Sequence, residues 1–378
     1  MKTIHIITPE YWPRCGGVAD YTRQIALELA QAGDQVHVWC PAGCAAEAGD
    51  ALGIHPVLGR FTKSDLAAVD VMLDEFPAPR RLLVQWVPHG YGFRSMNFPF
   101  CLWLLARARK GDVVELMVHE AYLHFWEGSW RQTAAAAVHR AMTVVLLRAA
   151  QRVWVSIPAW EGLWKPYAMG RPVPFAWLPV PSALDDPDPR AVAQIRARLG
   201  GDIRPIVGHL GTYGSAVASV LLEVLPALLR RVDASVLLIG AGSEQFCASA
   251  AAAFPELSGR LTSTGTVARD ALAAHVAACD VLVQPYPDGV SSRRTTAMAG
   301  LRLGVPVVTT GGRLTEPAWS SDDVVRLVSV GDSAGLVDAV ESLLHDSQER
   351  QRLAASARAF YDRTFDVRRT VAEIRAVA

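Results

Sequence analysis

Residues 3–8 form a short apolar run that gives way to a loop from Pro9 to Gly17. Beyond it, Val18, Tyr21, Ile25, Leu29 and Ala32 recur at helical spacing until Gly33, and residues 35–40 (QVHVWC) alternate like a strand. Strand, helix and strand in that order predict a β-α-β unit, whose right-handed crossover implies a parallel sheet. Residues 81–87 (RLLVQWV) and 113–118 (VVELMV) are mostly apolar and predict strands buried on both faces. An alanine-rich helix over 133–150 and a strand over 152–156 (RVWVS) complete this half.

At residues 179–190 the texture changes to PVPSALDDPDPR, which sustains neither helix nor ladder and predicts a linker. A second series follows: strands over 205–210 (PIVGHL), 235–239 (SVLLI), 261–264, 281–284 (VLVQ) and 305–309 (VPVVT), with helices over 217–232, 269–278 and 295–303. Beyond Ser333 the pattern is helical. The expectation is α/β: two doubly wound halves facing across a cleft, with ligands outside the carboxyl ends of the strands. The domains are placed at 1–180 and 181–360, with residues 361–378 as a helix crossing back to the first.

Composition narrows the function classes. The 378 residues are 51% apolar and 20% charged, which excludes disorder, collagen and coiled coil. Thirty-seven basic residues balance thirty-seven acidic ones, so no net field draws the chain to nucleic acid. The six cysteines (Cys15, Cys40, Cys44, Cys101, Cys247, Cys279) are scattered, contain no C-x-x-C and predict free thiols in a reducing compartment. The N-terminal MKTIHIITPEYW is too short in apolar run for a signal peptide, and no run reaches about 18 apolar residues, so a cytoplasmic protein is expected.

Four places carry candidate chemistry. Cys15, Gly16 and Gly17 open a helix, where backbone N–H groups and the helix terminus favour an anion; a tight turn is the alternative. The loop from Asp288 through Gly289, Ser291, Ser292, Arg293, Arg294 and Thr295 to Thr296 gathers guanidinium forks, hydroxyls and a helix N-terminus after one strand. The alternative there is a solvated loop that caps the helix. Residues 208–214 (GHLGTYG), with Gly211, Thr212 and Tyr213, allow close backbone approach to a ligand or serve only the turn. His119 and Glu120 end a buried strand, and Glu316 follows another by one loop.

At these residues the sequence resembles, over its whole length, the retaining nucleotide-sugar-dependent glycosyltransferases of GT-B fold, family four. The opening GGVADYTRQIALELAQAGDQVHVW, then VWVSIPAWEGL, SVLLIGAGSE, TGTVARDALAAHVAACDVLVQPYPDG and GVPVVTTGGRLTE follow that family segment by segment. The resemblance implies two Rossmann-like domains, the first for the acceptor and the second for a nucleotide-diphosphate sugar. It implies transfer of a hexose to an acceptor hydroxyl with retention, with no cofactor beyond the donor and no metal.

Two departures stand out. Most members carry two glutamates separated by seven residues before the G-x-P-V-V segment. Counting back from Gly304-Val305-Pro306 places them near Ser291 and on Ala299, the register favoured here; a rival pairs Asp288 with Thr296. Members also hold the diphosphate with an arginine and a lysine where this chain reads HLGTYG, and all four lysines (Lys2, Lys63, Lys110, Lys165) lie in the first half. The phosphate grip is therefore expected to have moved to Arg293 and Arg294.

The resemblance further suggests His119 at the donor sugar, Glu316 at the sugar or ribose, Gly16 and Gly17 at the diphosphate or acceptor, and Tyr21, His89 and Tyr91 at the acceptor. The segment 92–110, with Phe98, Phe100, Leu102, Trp103 and Leu105 beside Arg107, Arg109 and Lys110, is a candidate for seating a lipid-linked acceptor at the inner face of a membrane. The alternative is an amphipathic core helix with a solvated basic end. A GT-B nucleotide-sugar epimerase or hydrolase, or a non-catalytic nucleotide-sugar-binding protein, remain rival functions.

Overall fold

The structure is a computed structural model that describes residues 1–13, 16–44, 51–125, 129–201, 203–321 and 323–377. The chain divides into two units, Met1–Val180 with Val367–Ala378, and Pro181–Asp366.

In the first unit β1 (Thr3–Ile7), β2 (Gln35–Trp39), β3 (Leu52–His55), β4 (Arg81–Trp86), β5 (Val113–Val118), β6 (Arg152–Val155) and β7 (Phe175–Trp177) form one sheet in the order β3-β2-β1-β4-β5-β6-β7. Neighbouring strands are parallel throughout. One face is packed by Ile4, Ile6, Val36, Val38 and Leu83, and helix Val367–Ala376 adds Val371 and Ile374 to this cluster. That helix is pinned to the sheet's beginning. Lys2 Nζ donates to the Arg375 carbonyl at 2.7 Å, Arg81 Nη2 to that of Ile374 at 2.6 Å, and Arg375 Nε meets Asp34 Oδ2 at 2.8 Å. Residues 361–366 belong to the second unit, so the crossing helix starts at Val367.

The second unit holds β8 (Ile206–Leu210), β9 (Ser235–Ile239), β10 (Leu261–Ser263), β11 (Val281–Gln284), β12 (Val307–Gly311) and β13 (Arg326–Ser329), in the order β10-β9-β8-β11-β12-β13. This sheet is also parallel. Alternate strand residues feed two cores: Ile206, Leu237, Leu282 and Val307 one, Val207, Val236, Val281 and Val308 the other. Helices on both faces follow, as period-two burial demands. The linker is shorter than its composition suggests: Pro189 takes the first turn of helix Pro189–Arg198, capped by the Asp188 side chain on Arg190 N–H.

In each unit the strand order reverses once, between β1 and β4 and between β8 and β11. Those switch points leave crevices above the carboxyl ends of the strands. The helix Phe98–Arg109 is core rather than membrane-facing. Phe100, Trp103 and Leu104 are buried, and Arg107, fully buried, pairs with Asp112, Asp70 and Asp74. Leu102 and Phe93 remain exposed. No helix among the described residues is long and apolar enough to cross a membrane.

On the opposite face of the first sheet three histidines meet. His5 pairs in register with His37, whose Nδ1 lies 3.1 Å from His55 Nε2, and Trp39 Nε1 donates to His5 Nδ1 at 3.2 Å. Burial, reinforced by the neighbouring imidazoles, holds His5 down to about 3 and His37 to about 4. The rings stay neutral where the unfolded chain, titrating near the ordinary 6.5, takes up protons. Stability is therefore expected to fall as pH drops from about 6.5 towards about 4. His5→Gln, which still accepts from Trp39, should lower the neutral-pH melting temperature but flatten its acid slope. Identical slopes in wild type and variant would refute the assignment.

Candidate functional site

At the switch point of the second unit a cavity of about 240 Å³ opens above β8 and β11. Two loops wall it. The first, Leu210–Gly214, leads from β8 into helix Ser215–Arg231; the second, after β11, brings Arg293, Arg294, Thr295 and Thr296 to the start of helix Thr295–Leu303. The two stretches, far apart in sequence, thus share one crevice, and each ends at a helix N-terminus with its unpaired N–H groups.

Close backbone approach fixes these loops. Gly240, at φ +106, passes so near the first loop that a Cβ would lie 2.5 Å from the Gly211 carbonyl oxygen. Gly289, at φ +90, lets the second loop press against residues 312–315, where a Cβ would lie 2.4 Å from Gly312 N. That contact brings Glu316 beneath the arginine loop. Its carboxylate accepts from Ser292 N–H at 3.0 Å, from the Ser292 hydroxyl and from Trp319 Nε1 at 2.8 Å. Glu316 therefore holds the loop, and its expected role at the sugar or ribose is met by a carboxylate already engaged.

Asp288 sets the electrostatics. It binds Arg293 Nη2 through Oδ2 at 2.8 Å and Arg294 Nη2 through Oδ1. The Arg294 guanidinium also lies 4.7 Å over the Tyr286 ring, whose hydroxyl meets Thr296 Oγ1 at 2.6 Å. Two guanidinium groups against one carboxylate leave a net positive charge in a partly desolvated crevice. Both arginines line the cavity rather than bulk solvent.

Other expected donor residues divide. Gly211, Thr212 and Thr295 line the cavity. Tyr213 lines it too, but its hydroxyl donates to the His209 carbonyl at 3.2 Å and its ring stacks on Phe246, so it props the loop. Ser291 and Ser292 are buried beneath the loop. Of the residues in the two registers weighed for the glutamate pair, Thr296 lines the cavity, while Ser291 and Ala299 are buried.

In the first unit His119 follows β5 and is buried, with Nε2 2.8 Å from Gln85 Oε1 and its ring edge-on to Tyr21. Burial holds its imidazole down to about 4, so it is a neutral hydrogen-bonding group near pH 7. Glu120 is half-exposed and pairs with His89 Nδ1 at 3.4 Å, which raises the His89 pKa. Tyr91 corrects its expected acceptor role: it is fully buried, stacks on Phe100 and donates to the Gln85 carbonyl at 2.6 Å. Tyr21 is likewise buried. Cys15 lies outside the described residues. Gly16 and Gly17 begin helix Gly17–Gln31, yet the cradle there holds the chain's own Glu10, whose Oε1 accepts from Ala19 N–H at 3.2 Å.

A larger cavity of about 690 Å³ sits at the first unit's switch point, lined by Pro9, Arg60, Phe61, Gly90 and Phe93 among others. Phe61, Phe93, Arg94 and Ser95 have positive φ of 59, 50, 53 and 73°. Left-handed backbone at non-glycine residues costs about 1–3 kcal/mol each and collects at functional sites. The segment 92–110 expected at the acceptor reaches this wall at Gly92 and Phe93, whereas His209 and Gln284 in the smaller cavity were not singled out. For His209 and Gln284 the only signal is a polar residue near the end of an apolar strand.

Residues 204–346 match the family model described as glycosyl transferases group 1. The chain is 24% identical over 377 residues to a phosphatidyl-myo-inositol mannosyltransferase of Mycobacterium leprae (strain TN), covering 93% of this chain and 90% of that one. Among solved structures it is similar to a sucrose-phosphate synthase from Thermosynechococcus elongatus, at TM-score 0.74 and 17% identity over 100% of this chain and 98% of that one. It is also similar to HepE of Anabaena in complex with UDP and glucose, at TM-score 0.67 and 17% identity, covering 100% and 98%. The two parallel-sheet units are those of the GT-B fold.

The Glu316 contacts yield a direct check. Removing a carboxylate that satisfies buried donors costs about 1–3 kcal/mol or more. Glu316→Ala should lower unfolding stability by that order in chemical denaturation. Unchanged stability with lost turnover would instead return Glu316 to the ligand.

Proposed function

We propose that this chain, a glycosyltransferase of the hexose-transferring class, moves a hexose from a nucleotide-diphosphate sugar to a hydroxyl of a lipid-linked or glycan acceptor, with retention of configuration. The observation that carries the reading is the crevice of the second unit. There Arg293 and Arg294, the amides of the Gly211–Gly214 loop and the N-terminus of helix Thr295–Leu303 converge. A departing diphosphate develops negative charge, and groups oriented for it before reaction lower the barrier most. In this reading the diphosphate takes the place of Asp288 on the guanidinium pair, and the charge needed at the leaving group comes from arginine rather than from a metal ion.

The acceptor belongs to the cavity of the first unit, which is mainly apolar with Arg60 at its wall. The relative that acts on phosphatidyl-myo-inositol supports a lipid-linked acceptor. Contact with a membrane surface would then involve exposed Phe93 and Arg94, not the buried face of helix Phe98–Arg109. His119, neutral, is suited to hydrogen-bond a sugar hydroxyl. Retention is assigned to a front-face displacement. In that step the bond from the anomeric carbon to the leaving phosphate oxygen breaks on the side where the acceptor oxygen bonds, and the acceptor proton passes to the phosphate.

The test measures nucleoside diphosphate release from UDP-glucose and GDP-mannose, with and without phosphatidylinositol in mixed micelles. Release that depends on acceptor is expected, and it should persist in EDTA. Loss of one charge-assisted contact is worth about 1.5–3 kcal/mol. Arg293→Ala and Arg294→Ala should therefore each weaken donor binding about tenfold or more, and together further. Unchanged donor affinity and turnover in the double variant would overturn the reading; release from donor alone at full rate would assign hydrolysis instead.

A further inference from the structure

Two buried side chains in the crevice of the second unit have no part in the chemistry above. His209 and Gln284 stand at the carboxyl ends of β8 and β11, the strands on either side of the switch point, and both line the cavity. His209 is 3% exposed and Gln284 fully buried. The His209 Nδ1 lies 2.7 Å from the Val283 carbonyl oxygen. A carbonyl only accepts, so Nδ1 carries the proton and the neutral ring presents a lone pair at Nε2. That Nε2 has no hydrogen-bond partner, and neither amide atom of Gln284 has one. Orphaned polar atoms at this depth are uncommon and call for an account. A Cβ at position 211 would lie 2.9 Å from Nε2, so Gly211 keeps the nitrogen uncovered.

The surroundings decide what Nε2 can do. From the second loop come Arg293 and Arg294 with Asp288 between them. The Tyr213 ring stands edge-on at 5.0 Å, Tyr286 shares the cavity, and the Cys279 thiol packs behind Gly208. Helix Ser215–Arg231 brings no charged side chain to the cavity. Burial holds the imidazole down to about 4, with the Val283 carbonyl pulling weakly the other way. A bound diphosphate reverses that balance, because an adjacent anion favours the charged ring. The ring cannot turn Nδ1–H toward the ligand without breaking its bond to Val283, and a bare lone pair facing a phosphate oxygen is repulsive.

We infer that His209 is a conditional cation of the donor site: neutral in the free protein, it takes one proton from solvent at Nε2 when the diphosphate of a nucleotide sugar enters, and Nε2–H then donates to a phosphate oxygen. Gln284 offers its amide N–H beside it at any pH. The inference rests on the reading that the diphosphate occupies this crevice. It also identifies a ligand contact on the strand end itself, where the resemblance marks the loss of the usual basic side chains.

Calorimetric titration with UDP-glucose and GDP-mannose tests it, because their phosphates are diesters and exchange no proton near neutral pH. Titrations near pH 7 in two buffers of different ionisation enthalpy count the protons taken up. Wild type should take up a substantial fraction of one proton per ligand. Its affinity should weaken with rising pH, by up to about tenfold per unit above the pKa reached in the complex. His209→Gln should take up none and show a flat profile. His209→Arg should bind with a flat profile and, at the alkaline end, more tightly than wild type. Binding by wild type without proton uptake overturns this inference alone. Uptake that persists unchanged in His209→Gln places the proton on another group and overturns it as well. Failure of wild type to bind either nucleotide sugar removes the donor-site reading, and this inference with it. The proton count on wild type stands even if a variant fails to fold.

Discussion

The arginine pair on Asp288 is the constraint around which the second unit's crevice is organised. Two guanidinium groups this close repel unless an anion lies between them, and the chain supplies one from six residues away or fewer. The carboxylate has a second effect: it fixes both forks in one orientation. The loop is rigid for a further reason, since Glu316 takes its Ser292 N–H and hydroxyl from below. A phosphate oxygen entering the crevice therefore meets positioned donors, at the cost of displacing a carboxylate. In the proposed reading, Asp288 stands where the donor's anion would bind.

The first unit repeats the device in a different place. Glu10 lies at the N-terminus of helix Gly17–Gln31 and accepts from Ala19 N–H, where paired glycines had suggested a ligand anion. Helix termini and buried cations attract negative charge regardless of its source. When no ligand is bound, a nearby Asp or Glu at low entropic cost is the natural occupant. A helix terminus that draws an anion can thus be filled by its own chain.

The fold was largely legible because parallel strands buried on both faces leave continuous apolar runs, as in β5, β8, β9 and β11. The strands that escaped are short or half-exposed: β3 carries Gly53 and two histidine neighbours, β7 is three residues long, and β13 is partly exposed. The arginine loop was legible from chemistry alone, since guanidinium groups and hydroxyls crowd one strand end. Its register was not, because Thr296 and Ala299 differ by less than one helical turn and only burial separates them. The buried setting of Tyr91 and the hydrogen bonds of Glu316 were not legible for one reason. Their partners, Phe100 and Ser292, come from other elements, and no local pattern announces such contacts. His209 escaped because a single polar residue closing an apolar strand looks like a satisfied core histidine until its second nitrogen is found without a partner.

The helix Val367–Ala376 completes the core of a sheet whose first strand begins at Thr3, and Lys2 is tied to Arg375 across 373 residues of chain. A ribosome releases β1 long before the segment that covers it, whereas everything needed for the second sheet lies in one uninterrupted stretch. During synthesis the amino-terminal sheet must wait with an apolar strip around Ile4, Ile6 and Val36 uncovered, so its maturation follows that of a region made later. Order of translation and order of completion are thereby inverted in this polypeptide.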